Sequence, residues 1–286
     1  MSIDITALTL PLVDTVAELI NLSEQFALQN ALGRVRHWAF RGQTREFQTL
    51  VPSFQRLFSV NAYGAAELIE QELIAAFRSH YEILPDRSAD MPQPPAIAQG
   101  YDLRCLSVMQ HYEVPTRLLD WTSDFWTAIY FACASDPDSN AELWLYDRQI
   151  FDAQLGIQQS FASLLSAEVN PPVEPSFLSR RAERLLVELD PRLTPRMKQQ
   201  YAHHTVSANI FADHAELLEE LQAQMPPSAE EPFYFRRLVI EKSCKGRALR
   251  FLADHKRITA STIFPDVVGL GRFLRWQLDS LRTMLM

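Results

Sequence analysis

The sequence predicts an α+β fold: a small mixed or antiparallel sheet of short strands wrapped by many helices. Strand-forming runs such as His37–Arg41 and Leu143–Tyr146 are short, and the stretches between them are longer, with apolar residues recurring at three- and four-residue spacing. Only 8 glycines occur in 286 residues, so helices can run unbroken. With 47% apolar and 22% charged residues the chain can bury a sizeable core, and its length suits one domain spanning 1–286.

The elements follow in order. Thr15–Gln29 reads as a helix with Val16, Leu19, Ile20, Ser23, Phe26 and Ala27 on one face, opened by the capping-box pair Thr15 and Glu18. His37–Arg41 reads as a strand stopped by Gly42, where the backbone can turn sharply or approach a ligand closely. Gly64–Tyr81 is a helix whose expected buried stripe is Leu68, Ile69, Leu73, Ala76, Phe77 and His80. Pro85, Pro92, Pro94 and Pro95 break the next stretch into a surface loop. Asp102–Tyr112 is helical until Val114-Pro115, Leu118–Trp121 is extended, and Thr122 or Ser123 caps a helix that ends before Asp136–Asn140. Further helices are expected over Phe151–Leu165, Ser179–Leu189 and Asn209–Gln224, then a loop over Met225–Pro232 and a central strand over Phe233–Ile240. Gly246–His255 is a basic helix, Ile263–Asp266 a last strand, and Val268–Leu285 a terminal amphipathic helix.

Composition narrows the function classes. A formal charge of −8 argues against a general nucleic-acid binder, though Arg34–Arg56 and Arg236–Arg257 are locally basic. Cys105, Cys133 and Cys244 are widely spaced and form no C-x-x-C pair, so reduced, structural thiols are expected. The start lacks a basic leader and no apolar run reaches membrane-spanning length, so a cytoplasmic location away from the membrane is expected.

Chemistry concentrates between Leu106 and Ala134. Gln110, His111, Thr116, Arg117, Asp120, Thr122 and Ser123 are crowded among large apolar side chains there. Arg and Asp rarely enter a core unless paired, so this block must share partners with another polar island, and Arg41 is the candidate. Arg41 could pair with Asp120 or bind an anion, Arg117 could brace a loop, and His111 could stabilise a helix C-terminus. No phosphate-binding loop, dinucleotide fingerprint, zinc-protease or serine-hydrolase motif occurs, and the adjacent His203 and His204 point apart on a strand, so no metal is expected.

The block Gln110-His111-x-x-x-Pro115-Thr116-Arg117-Leu118-Leu119-Asp120-Trp121-Thr122, followed by Tyr130-Phe131-Ala132, resembles a bacterial domain family known as FRG. Phe40-Arg41-Gly42 and Ile263–Asp266 resemble two further blocks of that family, so the likeness spans about residues 35–275; Glu113-Val114 departs from it where a glycine usually follows the histidine. An arginine-glycine on a first strand and Thr122-Ser123 on a second also resemble, more distantly, the ADP-ribosyltransferase superfamily. The resemblance to FRG implies a role as a toxin or phage-defence effector, and that to the transferases implies NAD or another nucleotide as substrate, with a nucleic acid or protein as acceptor. Under it, Arg41, Gly42, Gln43, Gln110, Thr116, Arg117, Trp121 and Thr122 would bind substrate, and His111, Asp120 and Glu241 would be catalytic. The alternative is a non-catalytic nucleotide- or nucleic-acid-binding module with the LLDWT block as scaffold.

Overall fold

The computed structural model describes residues 12–31, 37–58, 63–82, 99–154, 184–189, 195–225, 233–265 and 267–285. The helices among these are α1 (Val16–Ala31), α2 (Tyr63–Glu82), α3 (Gln99–His111), α4 (Phe125–Cys133), α5 (Pro195–Gln199), α6 (His214–Gln224), α7 (Lys242–Phe251), α8 (Ala260–Ile263) and α9 (Val267–Leu285). The strands are β1 (Trp38–Gln43), β2 (Leu118–Thr122), β3 (Ala141–Asp147), β4 (Leu186–Leu189), β5 (Ala202–Ser207) and β6 (Phe235–Ile240). They form one antiparallel sheet in the order β4-β5-β2-β1-β3-β6, which makes the expected α+β architecture an observed one.

Both faces of the sheet are covered. On one, α1, α4 and α7 pack around Phe26, Phe40, Ile129 and Leu238; on the other, α6 and the 3-10 turn Arg148–Gln154 pack around Trp121, Tyr146, Phe151 and Leu218. Every residue of β3 is therefore buried, rather than alternating as a strand with one wet face would. At the β4 end, Leu106 and Met109 of α3 meet Leu118, Val187 and Val206.

The capping box of α1 forms as expected: Thr15 N–H donates to Glu18 Oε2 (3.1 Å) and Glu18 N–H to Thr15 Oγ1 (3.2 Å). Other elements differ from expectation. Gly42 does not stop β1; the strand runs through it to Gln43. A Cβ there would lie 2.1 Å from Ala128 O and 2.5 Å from Ala132 N, so the glycine lets α4 press against the sheet. The buried side of α2 is centred on Ala66, Glu70, Ile74 and Tyr81, leaving Leu68 and Ile69 exposed, because the helix turns Glu70 inward to meet Arg117. Asp124, not Thr122 or Ser123, caps α4, accepting from Thr127 N–H at 2.7 Å. Leu186–Leu189 is a strand, not the end of a helix, because β5 offers it a ladder. Ile263 closes a short helix instead of opening a strand. β6 is the last strand of the sheet, not a central one; its edge is covered by Val13, which accepts from Glu241 N–H (2.8 Å) and donates to Val239 O (2.9 Å). The Asn209–Gln224 helix is shorter, with Asp213 capping α6 at Ala215 N–H (2.9 Å). The loops read over 84–95 and 226–232, and most of the helix read over 151–165, lie outside the described residues.

Cys105, Cys133 and Cys244 are buried and free, as expected. Burial pushes the Cys133 thiol up to about 12 and raises that of Cys244, which keeps both inert.

Candidate functional site

β1 and β2 pair at one position, Phe40 opposite Thr122. Beyond it the strands part, β1 continuing along β3 and β2 along β5, so the middle of the sheet opens as a V. Arg41 and Gln43 stand on one arm and Asp120 on the other. Strand carbonyls freed by such a split need new partners. Arg41 supplies one, its Nη1 donating to the backbone oxygen of Asp120 at 2.7 Å. Arg41 and the 110–122 block thus converge, as the sequence led one to expect, but through a backbone carbonyl and not a carboxylate–guanidinium pair.

The resulting cleft has a volume of about 440 Å³. Arg41, Arg56 and Arg196 contribute cations to its lining, and Asp120 and His204 an acid and an imidazole. Its rim, residues 44–49, is fastened from below. Buried Glu142 accepts from the amides of Phe47 (3.1 Å) and Gln48 (3.0 Å) and from Arg237 Nη1 (2.6 Å). Asp136 accepts from Thr44 Oγ1 (2.9 Å) and Arg45 Nη2 (2.8 Å), which hold its carboxyl at about 2.

Asp120 is the one exposed residue of β2. Its Oδ2 accepts from Gln110 Nε2 at 2.9 Å, and its Oδ1 lies 3.1 Å from His204 Nδ1 on the neighbouring strand. Desolvation opposes ionisation, yet His204, Arg41 and Gln110 outweigh it and lower the Asp120 carboxyl below its ordinary value. Desolvation, with Arg56 nearby, lowers Arg41 in turn, against the pull of Asp120. Thr116 Oγ1 donates to Gln110 Oε1 (2.6 Å), so the glutamine is oriented before any ligand arrives. Four buried polar atoms on three cleft-lining residues have no hydrogen-bond partner among the described residues: Arg41 Nε, Gln43 Oε1 and both ring nitrogens of His204, whose Nδ1 meets Asp120 at ion-pair distance only.

Of the residues singled out by sequence, Arg41, Gly42, Gln43, Gln110, His111, Asp120, Trp121 and Thr122 line this cleft. Thr116 is buried behind it. Arg117 is elsewhere: 2% exposed, it grips both carboxylate oxygens of Glu70 and donates to Ser207 O (3.3 Å) and Ala208 O (3.0 Å). Glu241 caps α7 through Ser243 N–H (3.1 Å) and does not line the cleft. His204 and Arg196 are not among the residues the sequence singled out for the site, and Arg56 entered only as the end of the basic stretch Arg34–Arg56. For His204 the signal was the His203-His204 pair on a strand, which sends the second imidazole to the face where Asp120 waits.

A comparison with protein-family models matches residues 36–141 to the FRG domain. Over those residues the chain is similar to the FRG domain. No curated protein and no solved structure matches the chain. The FRG match contains β1, α2, α3, β2 and α4, hence Arg41, Gln110 and Asp120, and ends as β3 begins. His204, Arg196 and Gln200, which complete the cleft, come from beyond the matched FRG residues. Glu113, where the resemblance led one to expect glycine beside the histidine, has φ 63° and takes the left-handed turn after α3 itself.

Proposed function

We propose that the cleft in the split sheet binds a nucleotide through its phosphates, NAD foremost, and that the protein processes it in the manner of an ADP-ribosyltransferase or NAD glycohydrolase. The observation that carries this reading is the set of four unsatisfied polar atoms, Arg41 Nε, Gln43 Oε1 and His204 Nδ1 and Nε2, in residues lining one concavity. Buried polar groups are normally paired, so a cluster left open points to a ligand that completes it. A guanidinium fork suits pyrophosphate oxygens, and Arg56 and Arg196 add positive charge. A second cleft of about 520 Å³, walled by Tyr130, Phe131, Phe264, Phe273 and Trp276, adjoins the first through Thr44 and Phe131. Two adjoining cavities, both with arginines in their lining and the second, with Arg272 and Arg275, also richly aromatic, suit a dinucleotide better than a mononucleotide. Asp120, kept ionised, would face the cationic ribosyl carbon that forms as nicotinamide departs, and His111 would orient the substrate.

The engagement of Asp120 by both Gln110 and His204 favours a second reading, a binding module in which the carboxylate only positions its neighbours. Titration calorimetry with NAD and ADP-ribose, followed by an assay for nicotinamide release, separates the two. Binding lost in Arg41→Ala with release abolished in Asp120→Asn supports the enzyme. Binding without release leaves the module, and absence of binding by any nucleotide sinks both.

A further inference from the structure

At the other end of the β1–β2 pairing the chain builds a second constellation. Ser123 follows β2 and is exposed; its Oγ is hydrogen-bonded to His203 Nε2 across the neighbouring β5. His203 Nδ1 lies 3.4 Å from Glu188 Oε1 on β4, and Glu188 Oε2 accepts from Arg148 Nε at 2.8 Å. His203 and Glu188 are 2% and 4% exposed, so the imidazole and the carboxylate that faces it at ion-pair distance, without a hydrogen bond, are dry while the hydroxyl is open. A carboxylate facing Nδ1 favours the tautomer of neutral His203 with its proton there, and in that tautomer Nε2 is the base facing Ser123. Three adjacent strands thus bring nucleophile, base and orienting acid together in the order that activates a serine.

We infer that Ser123, His203 and Glu188 form an acyl-transfer centre that cleaves esters of short-chain carboxylic acids. Ser123 opens into a cleft of about 290 Å³ walled by Phe26, Trp38 and Phe125, room for a small acyl group. Ser123 Oγ attacks the ester carbonyl carbon as His203 Nε2 takes the hydroxyl proton. The tetrahedral adduct collapses, the carbon–oxygen bond to the alcohol breaks, and His203 returns that proton to the departing alkoxide. Water then attacks the acyl-Ser123 carbonyl, its proton passing through His203 to Ser123 Oγ, which releases the carboxylic acid and restores the resting state. The amides of Phe125 and Trp126, in the first turn of α4 where no intrahelical acceptor exists, begin two residues after Ser123 and can receive the oxyanion. The nucleotide cleft lies beyond Phe40 on the far side of the strand pairing, so this centre goes beyond the function proposed above.

The test uses the full chain, p-nitrophenyl butyrate and a fluorophosphonate probe. The expected result is one covalent adduct, mapped to Ser123, and ester turnover that falls to the uncatalysed rate in Ser123→Ala with an unchanged melting temperature. In Ser123→Cys, iodoacetamide should alkylate position 123 well before the three buried cysteines, and the reaction should persist below the ordinary thiol range because His203 draws off the proton. Absence of the adduct, an adduct elsewhere, or turnover retained in Ser123→Ala would overturn the proposal and leave His203 and Glu188 as a brace between strands.

Discussion

Arg41 and Arg117 stand in the two polar islands of the segment that matches the FRG domain, and the fold treats them in opposite ways. Arg117 is sealed, with its guanidinium spent on Glu70 and two carbonyls of the β5–α6 turn. Arg41 is held by one nitrogen and keeps Nε without a partner beside an open cleft. The difference comes from where β1 leaves β2: Arg117 precedes β2 in the cover of α2 and α3, while Arg41 follows Phe40, the residue of β1 that pairs with β2. A guanidinium whose donors are all matched braces structure; one with a donor to spare, in a cationic cavity, is left open to a ligand, the role proposed for Arg41. The contrast is testable because the two roles load stability and binding differently.

Arg117→Ala should produce the largest loss of stability. It leaves Glu70 as an unpaired buried carboxylate, which costs roughly 3 to 5 kcal/mol, read as a shifted midpoint in urea unfolding. The double variant Arg117→Met with Glu70→Leu should recover most of that loss, since no stranded charge remains. Equal stability of the single and double variants would remove the bracing role.

Gly42→Ala comes next. The added methyl meets the backbone of α4 at 2.1 and 2.5 Å, so the helix must move; overpacking of this kind costs roughly 1 to 3 kcal/mol. Because α4 also carries Phe131 to the cleft, nucleotide affinity should fall together with stability. A fall in affinity alone would instead mean that the glycine serves the ligand directly, as an open turn would.

The third prediction concerns acid. Burial, with Arg41 and Arg117 nearby, lowers His214 to about 3, so in the folded protein it stays neutral where the unfolded chain takes a proton. The unfolded state binds more protons between the ordinary value of 6.5 and about 3, so stability decreases as pH falls through that window. The slope approaches about 1.4 kcal/mol per pH unit for one proton. His214 Nδ1 shares a 2.9 Å hydrogen bond with Thr205 Oγ1, which also accepts from Trp121 Nε1 (2.9 Å). His214→Asn keeps an acceptor there and should flatten the pH 4 to 6 limb of the unfolding profile. Asp120, lowered instead, stabilises above its unfolded value and loses that contribution only as pH falls through its folded one. The two groups therefore separate in a titration of stability.

Arg41→Ala should have the smallest effect on stability, a few degrees or less in melting temperature, because a single hydrogen bond to a carbonyl is worth roughly 1 to 3 kcal/mol and the cleft can admit water in its place. A drop as large as that of Arg117→Ala would erase the distinction between the two arginines and make Arg41 scaffold as well.

Sequence alone determined what depends on neighbours along the chain. The Thr15–Glu18 cap, the strand at Phe40, the break after His111 and the packing of α4 all follow from local hydrogen bonding and apolar spacing, and the crowding of Arg117 and Asp120 among apolar residues announced shared partners. Tertiary structure decided which partners. Nothing near Glu70 in sequence says that α2 turns its acid inward, and Leu186–Leu189 is a strand only because β5 lies beside it. Glu241, read as a candidate acid, is used to cap α7, and His204 reaches Asp120 only through the β2–β5 register. Strand order and the point at which two strands part are set by contacts between residues some 80 positions apart in the chain, Phe40 with Thr122 and Asp120 with His204, and such contacts leave no periodicity to read.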